Sequence, residues 1–124
     1  MALQTLDQLR KLQEELPGVM EEVMQLFIAD APRQMREIEQ AYEQADADAL
    51  RQTSHYLRSG ALALRLEWVA DLVHRLEFLA PTDFGEPATT KLVASLRTEV
   101  NSVVVALLDE LSKSGGGSAG DGIS

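Results

Sequence analysis

The chain contains no cysteine, so disulfide bonds and thiolate metal sites are excluded. Basic residues are few: 11 lysines and arginines stand against 20 acidic residues, and the net charge is −9 at pH 7. This balance argues against general binding of nucleic acids and against docking on anionic membranes. No apolar run has the length of a transmembrane helix, and the first residues lack the pattern of a signal peptide. We therefore expect a soluble cytoplasmic protein, or a cytoplasmic part of a larger one.

Motifs for nucleotide binding and hydrolysis are also missing. The sequence has no glycine-rich phosphate loop, no nucleophile elbow and no constellation of paired carboxylates. Asp71 and His74 have the spacing of half a di-metal carboxylate site, but Gln52 stands at the matching offset before His55, which argues against such a site. One exposed histidine without a local base or a nucleotide site cannot make a complete kinase. It can make a carrier.

What the sequence does have is helical periodicity, with no convincing strand pattern. Five helices are predicted, over about residues 5–16, 19–44, 47–63, 67–79 and 88–111. Thr5–Gln8 resembles a capping box at the start of the first helix, Pro17–Gly18 ends that helix, and Asp46 is a good N-cap for the third. Pro32 predicts a kink near Ile28–Asp30 in the long second helix.

Apolar residues recur every three or four positions in these helices. The predicted core positions of the four long helices are Met20, Val23, Phe27, Met35, Ile38, Tyr42, Leu50, Leu57, Leu64, Val69, Leu72, Val73, Leu76, Leu79, Leu92, Leu96, Val100, Val103, Leu107 and Leu111. Amphipathic helices with short connections predict an all-α fold, an antiparallel up-down four-helix bundle with the short first helix as a lid. We expect the bundle domain to span residues 1–112 and the Gly/Ser-rich residues 113–124 to form a flexible linker or tail.

The third predicted helix carries His55, the most informative residue of the chain. At about 100° per residue, the leucines of this helix fall on the side opposite His55, so the imidazole should face solvent. Arginines recur beside it every seven residues, and no acidic residue occurs between Asp48 and Glu67. This row consists of Arg51, Arg58 and Arg65. An exposed imidazole beside guanidinium groups indicates chemistry with an anion, and phosphate is the anion that we expect.

The flanks of His55 also suggest a surface that a partner contacts. Leu62 falls close to the direction of His55 and would be a solvent-facing leucine. Gln52 and Ser59, small or uncharged, leave room for a partner to approach. The simpler alternative is a surface histidine without function, and these neighbours together weigh against it.

Other noteworthy residues receive structural interpretations. His74 has Asp71 and Glu77 one turn away on either side, so we expect it to be ion-paired and partly buried. The aromatic residues Trp68 and Phe78 are expected to pack between helices. Gly60 falls at the edge of the apolar stripe, where a missing side chain would let a neighbouring helix approach closely.

The stretch His55–Ala61 resembles the signature of histidine-containing phosphotransfer (HPt) domains, His-x-Leu-Lys-Gly-Ser-Ser/Ala. Three further segments resemble patterns of that family. Phe27–Pro32 is similar to Phe-x-x-Asp-x-Pro, Asp46–Leu50 to the usual entry into the histidine helix, and Leu72–Glu77 to Leu-x-x-x-Leu-Glu. Together the resemblance covers about residues 5–112.

This resemblance implies a phosphorelay role, in which a phosphoryl group passes from an aspartate of one receiver domain to a histidine and on to another receiver. His55 matches the phosphorylated histidine, and Arg58 matches the family's lysine that steadies the phosphoryl group. The partner-binding surface would consist of Arg51, Gln52, Ser59, Leu62 and Arg65.

The resemblance also sets the expected partners. They are response-regulator receiver domains or a hybrid sensor histidine kinase, in which this chain could be the cytoplasmic C-terminal domain of a membrane sensor. We expect a monomer that contacts neither nucleic acid nor the membrane. The receiver would supply Mg²⁺, so no cofactor or metal is expected in this chain.

Two positions depart from the family pattern. Ser59 stands where a glycine normally follows the lysine, and Arg65 stands at a later glycine, where a left-handed backbone would be strained. Two alternatives stay open at this point. One is a non-phosphorylated interaction module, a degenerate member of the family. The other is the phosphoacceptor domain of a chemotaxis-type histidine kinase.

Overall fold

The computed structural model describes residue 14 and residues 17–113, which form a bundle of four helices. They are α1 (Pro17–Glu43), α2 (Ala47–Ala63), α3 (Glu67–Glu77) and α4 (Pro87–Leu111), with a 3₁₀ turn at Pro81–Asp83. Over these residues there is no strand, and the predicted all-α class is confirmed. Helices α1 and α3 each pack on both α2 and α4, which closes the bundle. Apart from Glu14, the predicted first helix lies outside the described residues, as do residues 114–124 of the predicted tail.

The helix bounds differ from the predicted ones at a few places. Within the described residues, α1 begins at Pro17 rather than near residue 19. It continues through Pro32 as one helix, and the kink predicted near that proline stays a prediction. Helix α3 ends at Glu77 rather than at residue 79. Helix α4 begins at Pro87 rather than at residue 88. Proline is suited to the first helical turn, since the N–H that it lacks would have no helical partner there.

Asp46 links α1 to α2 through hydrogen bonds in both directions. Ala45 has a left-handed backbone with φ +54°, and the N–H of Asp46 donates to the carbonyl of Ala41 at 2.9 Å, which closes the last turn of α1. The carboxylate of Asp46 then accepts a hydrogen bond from the N–H of Ala49 at 3.1 Å. The predicted N-cap is therefore confirmed.

The end of α2 has the same geometry, with Arg65 at φ +60°. The N–H of Arg65 donates to the carbonyl of Leu62 at 3.0 Å, and the N–H of Leu66 donates to that of Ala61 at 2.9 Å, which are the two bonds of a Schellman motif. Burial of Leu66 in the core holds the chain in this turn. The left-handed backbone considered for Arg65 is confirmed. The prediction that Arg65 continues the arginine row of the helix is wrong, because the residue stands beyond the end of α2.

The core lies between the four helices and contains the predicted positions, some of them half-buried. The half-buried ones are Val23, Tyr42, Leu72, Leu79, Leu92 and Leu111. Buried apolar residues that the sequence pattern did not single out are Met24, Ala31, Ala41, Ala61, Leu66, Ala70 and Val93. Most of these flank the predicted stripes, because a helix packed between two neighbours buries a face wider than one row of side chains.

Gly60 lies on α2 against the ring of Phe27 on α1, in line with its predicted packing role. A β-carbon added at Gly60 would lie 3.5 Å from Cδ2 of Phe27, which is an ordinary van der Waals distance. The space between Gly60 and the ring of Phe27 is therefore large enough for the methyl group of an alanine at position 60.

We expect Gly60→Ala to stabilise the domain by about 0.5–1 kcal/mol, since glycine inside a helix costs that much relative to alanine. The midpoint of thermal unfolding, followed by circular dichroism, should rise by roughly 2–8 °C. Gly85→Ala is the matched control: space around Gly85 is open, but its φ of +84° disfavours a side chain, so this variant should melt lower. A lower midpoint for Gly60→Ala would show that the contact with Phe27 tolerates no methyl group.

Candidate functional site

His55 projects from α2 into solvent. Its side chain is 56% exposed, whereas Leu50 and Leu57 on the opposite side of the helix are buried. The outward direction predicted for the imidazole is confirmed. Because α1 and α3 both pack against α2, the histidine stands on an element whose position is determined by the core.

The structure brings Glu77, the last residue of α3, against the imidazole of His55. Oε1 of Glu77 lies 3.2 Å from Nδ1 of His55, and the carboxylate side chain is only 4% exposed. An ionised carboxylate can only accept a hydrogen bond, so Nδ1 carries the proton in this contact. In the neutral ring Nε2 is then the unprotonated nitrogen, with its lone pair available. The expectation that His55 has no local carboxylate partner is therefore wrong.

Arg58 compensates the charge of the buried Glu77. Its Nε forms an ion pair with Oε2 of Glu77, and its Nη2 lies 3.5 Å from Oε1. A buried carboxylate without a partner would cost several kcal/mol in lost hydration. Nη2 of Arg58 also lies 3.5 Å from Nδ1 of His55. Nδ1 is closer to Glu77, at 3.2 Å, and donates its proton there. It therefore accepts no hydrogen bond from Arg58, because two N–H donors cannot bond to each other. Arg58, Glu77 and His55 thus form a chain of contacts that orients the imidazole.

Arg51 and Gln52 lie one turn before His55 on the exposed side of α2. Arg51 is 63% exposed and pairs with Asp48 at 3.3 Å. Nε2 of Gln52 donates to the hydroxyl of Tyr56 across 3.4 Å. Both predicted partner-binding residues therefore lie at the surface beside the histidine, in weak contacts with their own helix.

The other three residues of the predicted partner-binding surface differ in their position relative to His55. Leu62 is 48% exposed, as predicted. The hydroxyl of Ser59 donates to the carbonyl of His55 at 3.0 Å, so this side chain folds back onto α2. Arg65 lies on the corner after the helix, and no hydrogen bond or ion pair within the described part of the chain joins it to His55.

The prediction for His74 is confirmed in one part and wrong in the other. Nδ1 of His74 lies 3.8 Å from Oε2 of Glu77, one of its two predicted partners, but the side chain is 56% exposed rather than partly buried. Phe78 is 69% exposed, with its ring 4.8 Å from that of His74, so the prediction that Phe78 packs between helices is wrong. Trp68 is half-buried against the core, as predicted.

Glu77 is the candidate residue that sequence reasoning did not assign to the site. Its nearness in sequence to His74 suggested a pair with that histidine, whereas 22 residues separate it from His55. Helical spacing relates residues on one helix and says nothing about which residues of α2 and α3 face each other. The available signal was the Leu72–Glu77 pattern, which ends on this glutamate.

Two further observations concern the described residues alone. They contain no cluster of three or more histidine, aspartate or glutamate side chains arranged to hold a metal ion. None of their helices combines the length and the apolar character needed to cross a membrane.

Comparisons with known proteins identify the family and the fold. Residues 22–113 match the Hpt domain family, which is more than half of the chain. The fold is similar to that of histidine-containing phosphotransfer protein B (HptB) from Pseudomonas aeruginosa PAO1, with a TM-score of 0.72 and 21% sequence identity over 86% of this chain and 92% of that one. Comparison with curated proteins gives no match. The chain belongs to the Hpt domain family, whose members are phosphocarrier domains of two-component signalling rather than catalytic enzyme domains.

Proposed function

We propose that this chain is a phosphorelay intermediate that accepts a phosphoryl group on His55 from a receiver-domain aspartate and passes it to the aspartate of another receiver. The observation that carries this proposal is the state of the imidazole. Nδ1 is engaged by the buried carboxylate of Glu77, which leaves Nε2 as the nucleophile on an exposed ring. Such an arrangement needs no nucleotide site of its own.

In the proposed transfer, the lone pair of Nε2 attacks the phosphorus of the aspartyl phosphate, in line with the bond to the aspartate. The N–P bond forms, the P–O bond breaks, and its electron pair stays on the receiver's carboxylate. The ring keeps the proton on Nδ1 and becomes positively charged, and the adjacent carboxylate of Glu77 stabilises that charge. The reverse sequence delivers the group to a second receiver. The receiver supplies Mg²⁺ and the acidic pocket that holds it.

A receiver would dock on the exposed face around His55. Three large apolar side chains near the histidine are exposed: Tyr56 at 55%, Leu62 at 48% and Phe78 at 69%. Apolar residues beside an exposed reactive group are typical of a surface that a protein partner covers. The exposed Arg51 of α2 complements the acidic pocket of a receiver, although the chain as a whole is acidic.

The proposal is tested by incubating the purified chain with a ³²P-labelled phospho-receiver and then with a second, unlabelled receiver. We expect the label to move to the chain as an acid-labile, alkali-stable phosphoramidate and then to appear on the second receiver. No label from any cognate receiver would favour an inert interaction module. Label taken up only from the ATP-binding domain of a histidine kinase would assign the chain to the chemotaxis-type phosphoacceptors instead.

A further inference from the structure

The position of Arg58 does not suit the role that the family resemblance gives it. A phosphoryl group on His55 forms at Nε2, whereas Arg58 lies on the Nδ1 side of the ring, where its Nε is paired with Glu77. Moving the guanidinium to the phosphoryl group would break its ion pair with a carboxylate that is 4% exposed. Two of the three nitrogens of the Arg58 guanidinium, Nε and Nη2, therefore face Glu77 in the unphosphorylated protein.

A shallow depression beside His55 offers another place for the phosphoryl oxygens. It lies over the helical turn that precedes the histidine and opens to solvent. The residues that line it are Asp48, Arg51, Gln52, His55, Tyr56 and Glu77. Arg58 does not line this depression, whereas Arg51 stands four residues before His55 and so beside it on the helix surface.

Arg51 is free to change partners. Its ion pair with Asp48 joins two exposed side chains, 63% and 90% accessible, at 3.3 Å. A pair of this kind contributes about 0–1 kcal/mol. A phosphoryl group carries more negative charge than a carboxylate and binds the guanidinium fork through two parallel hydrogen bonds, so it would take Arg51 from Asp48.

Gln52 supplies a second donor on the other side of the depression. It stands three residues before His55, and its amide donates across a long 3.4 Å contact to the hydroxyl of Tyr56. Both side chains are exposed, so this weak bond is readily exchanged for one to a phosphoryl oxygen.

We propose, on the basis of the function proposed above, that Arg51 and Gln52 bind the phosphoryl group on His55, and that Arg58 is a positioning residue acting through Glu77. In this assignment the phosphoryl group on Nε2 lies over the turn before the histidine. Arg51 exchanges Asp48 for the phosphoryl oxygens, and Arg58 stays paired throughout.

The test uses the isolated chain phosphorylated by potassium phosphoramidate, so that docking of a receiver plays no part. The pKa of the phosphoryl group is followed by ³¹P NMR. A bound guanidinium favours the dianion and lowers this pKa. We expect Arg51→Ala to raise the phosphoryl pKa above that of the wild type and Gln52→Ala to raise it less. Asp48→Asn, which releases Arg51, should lower it. Arg65→Ala, outside the depression, is the control and should leave it unchanged.

Arg58→Ala tests whether Arg58 or Arg51 binds the phosphoryl group. If Arg51 binds it, Arg58→Ala should leave the phosphoryl pKa close to that of the wild type. An unchanged pKa in Arg51→Ala, or an equal rise in Arg58→Ala or Arg65→Ala, would overturn the proposal. Asp48→Asn and Arg51→Ala are predicted to shift the phosphoryl pKa in opposite directions. This comparison does not need Arg58→Ala, so it remains a test if that variant fails to fold. If the chain is phosphorylated by phosphoramidate but by no receiver, the relay function is wrong, and NMR still decides the assignment of Arg51. If neither phosphoramidate nor a receiver phosphorylates His55, both the relay function and the assignment of Arg51 and Gln52 are wrong.

Discussion

His55→Gln is expected to accept no phosphoryl label from a phospho-receiver. Glutamine has a similar polar side chain, but the lone pair of its amide nitrogen is delocalised and cannot attack phosphorus. Its amide N–H can still donate to Glu77, and the position is 56% exposed, so the fold should be retained. The measurement is transfer of ³²P to the variant, with circular dichroism to verify that the bundle is intact.

His74→Gln is the matched control for this variant. Both histidines are 56% exposed and both have Nδ1 near the carboxylate of Glu77, at 3.2 Å for His55 and 3.8 Å for His74. They differ in that His55 projects from the middle of α2 beside the depression. We expect His74→Gln to keep the label. Label retained in His55→Gln and lost in His74→Gln would reassign the phosphoacceptor to α3.

Glu77→Gln is expected to slow phosphorylation of His55 by about tenfold to a hundredfold. The amide no longer opposes the charge that develops on the ring, and it can donate as well as accept, so it no longer holds the proton on Nδ1. The variant should also lose about 1–2 kcal/mol of stability, because the partly buried Arg58 loses its counter-ion. The transfer rate is to be measured well below the unfolding midpoint.

The decisive readout for Glu77→Gln is the tautomer of His55, observed by ¹⁵N NMR of the imidazole. We expect the wild type to carry the proton on Nδ1 and the variant to shift toward a proton on Nε2. Glu67→Gln, an exposed glutamate in the first turn of the same helix, is the control and should change neither the tautomer nor the rate. A slower rate with an unchanged tautomer would mean that Glu77 acts through charge alone.

The fold was predictable from the sequence because each of its determinants is local. The apolar rows predicted the four helices that the structure describes, and the start of α2 follows from Asp46 as N-cap. The outward direction of His55 follows from the rotation per residue within one helix. Two of the wrong predictions, for Arg65 and Phe78, occur where the chain leaves a helix, since a helical repeat cannot be extended past the residue at which the helix ends.

The sequence by itself predicted that His55 carries a phosphoryl group, and it placed this residue on the solvent side of its helix. The tertiary structure alone decided what surrounds its two ring nitrogens. Packing of α3 on α2 brings Glu77 to Nδ1 and draws Arg58 toward that carboxylate, while Arg51 remains beside the open depression. The physical reason is that a buried carboxylate must find a counter-ion, and only the packing of two helices shows where it is buried.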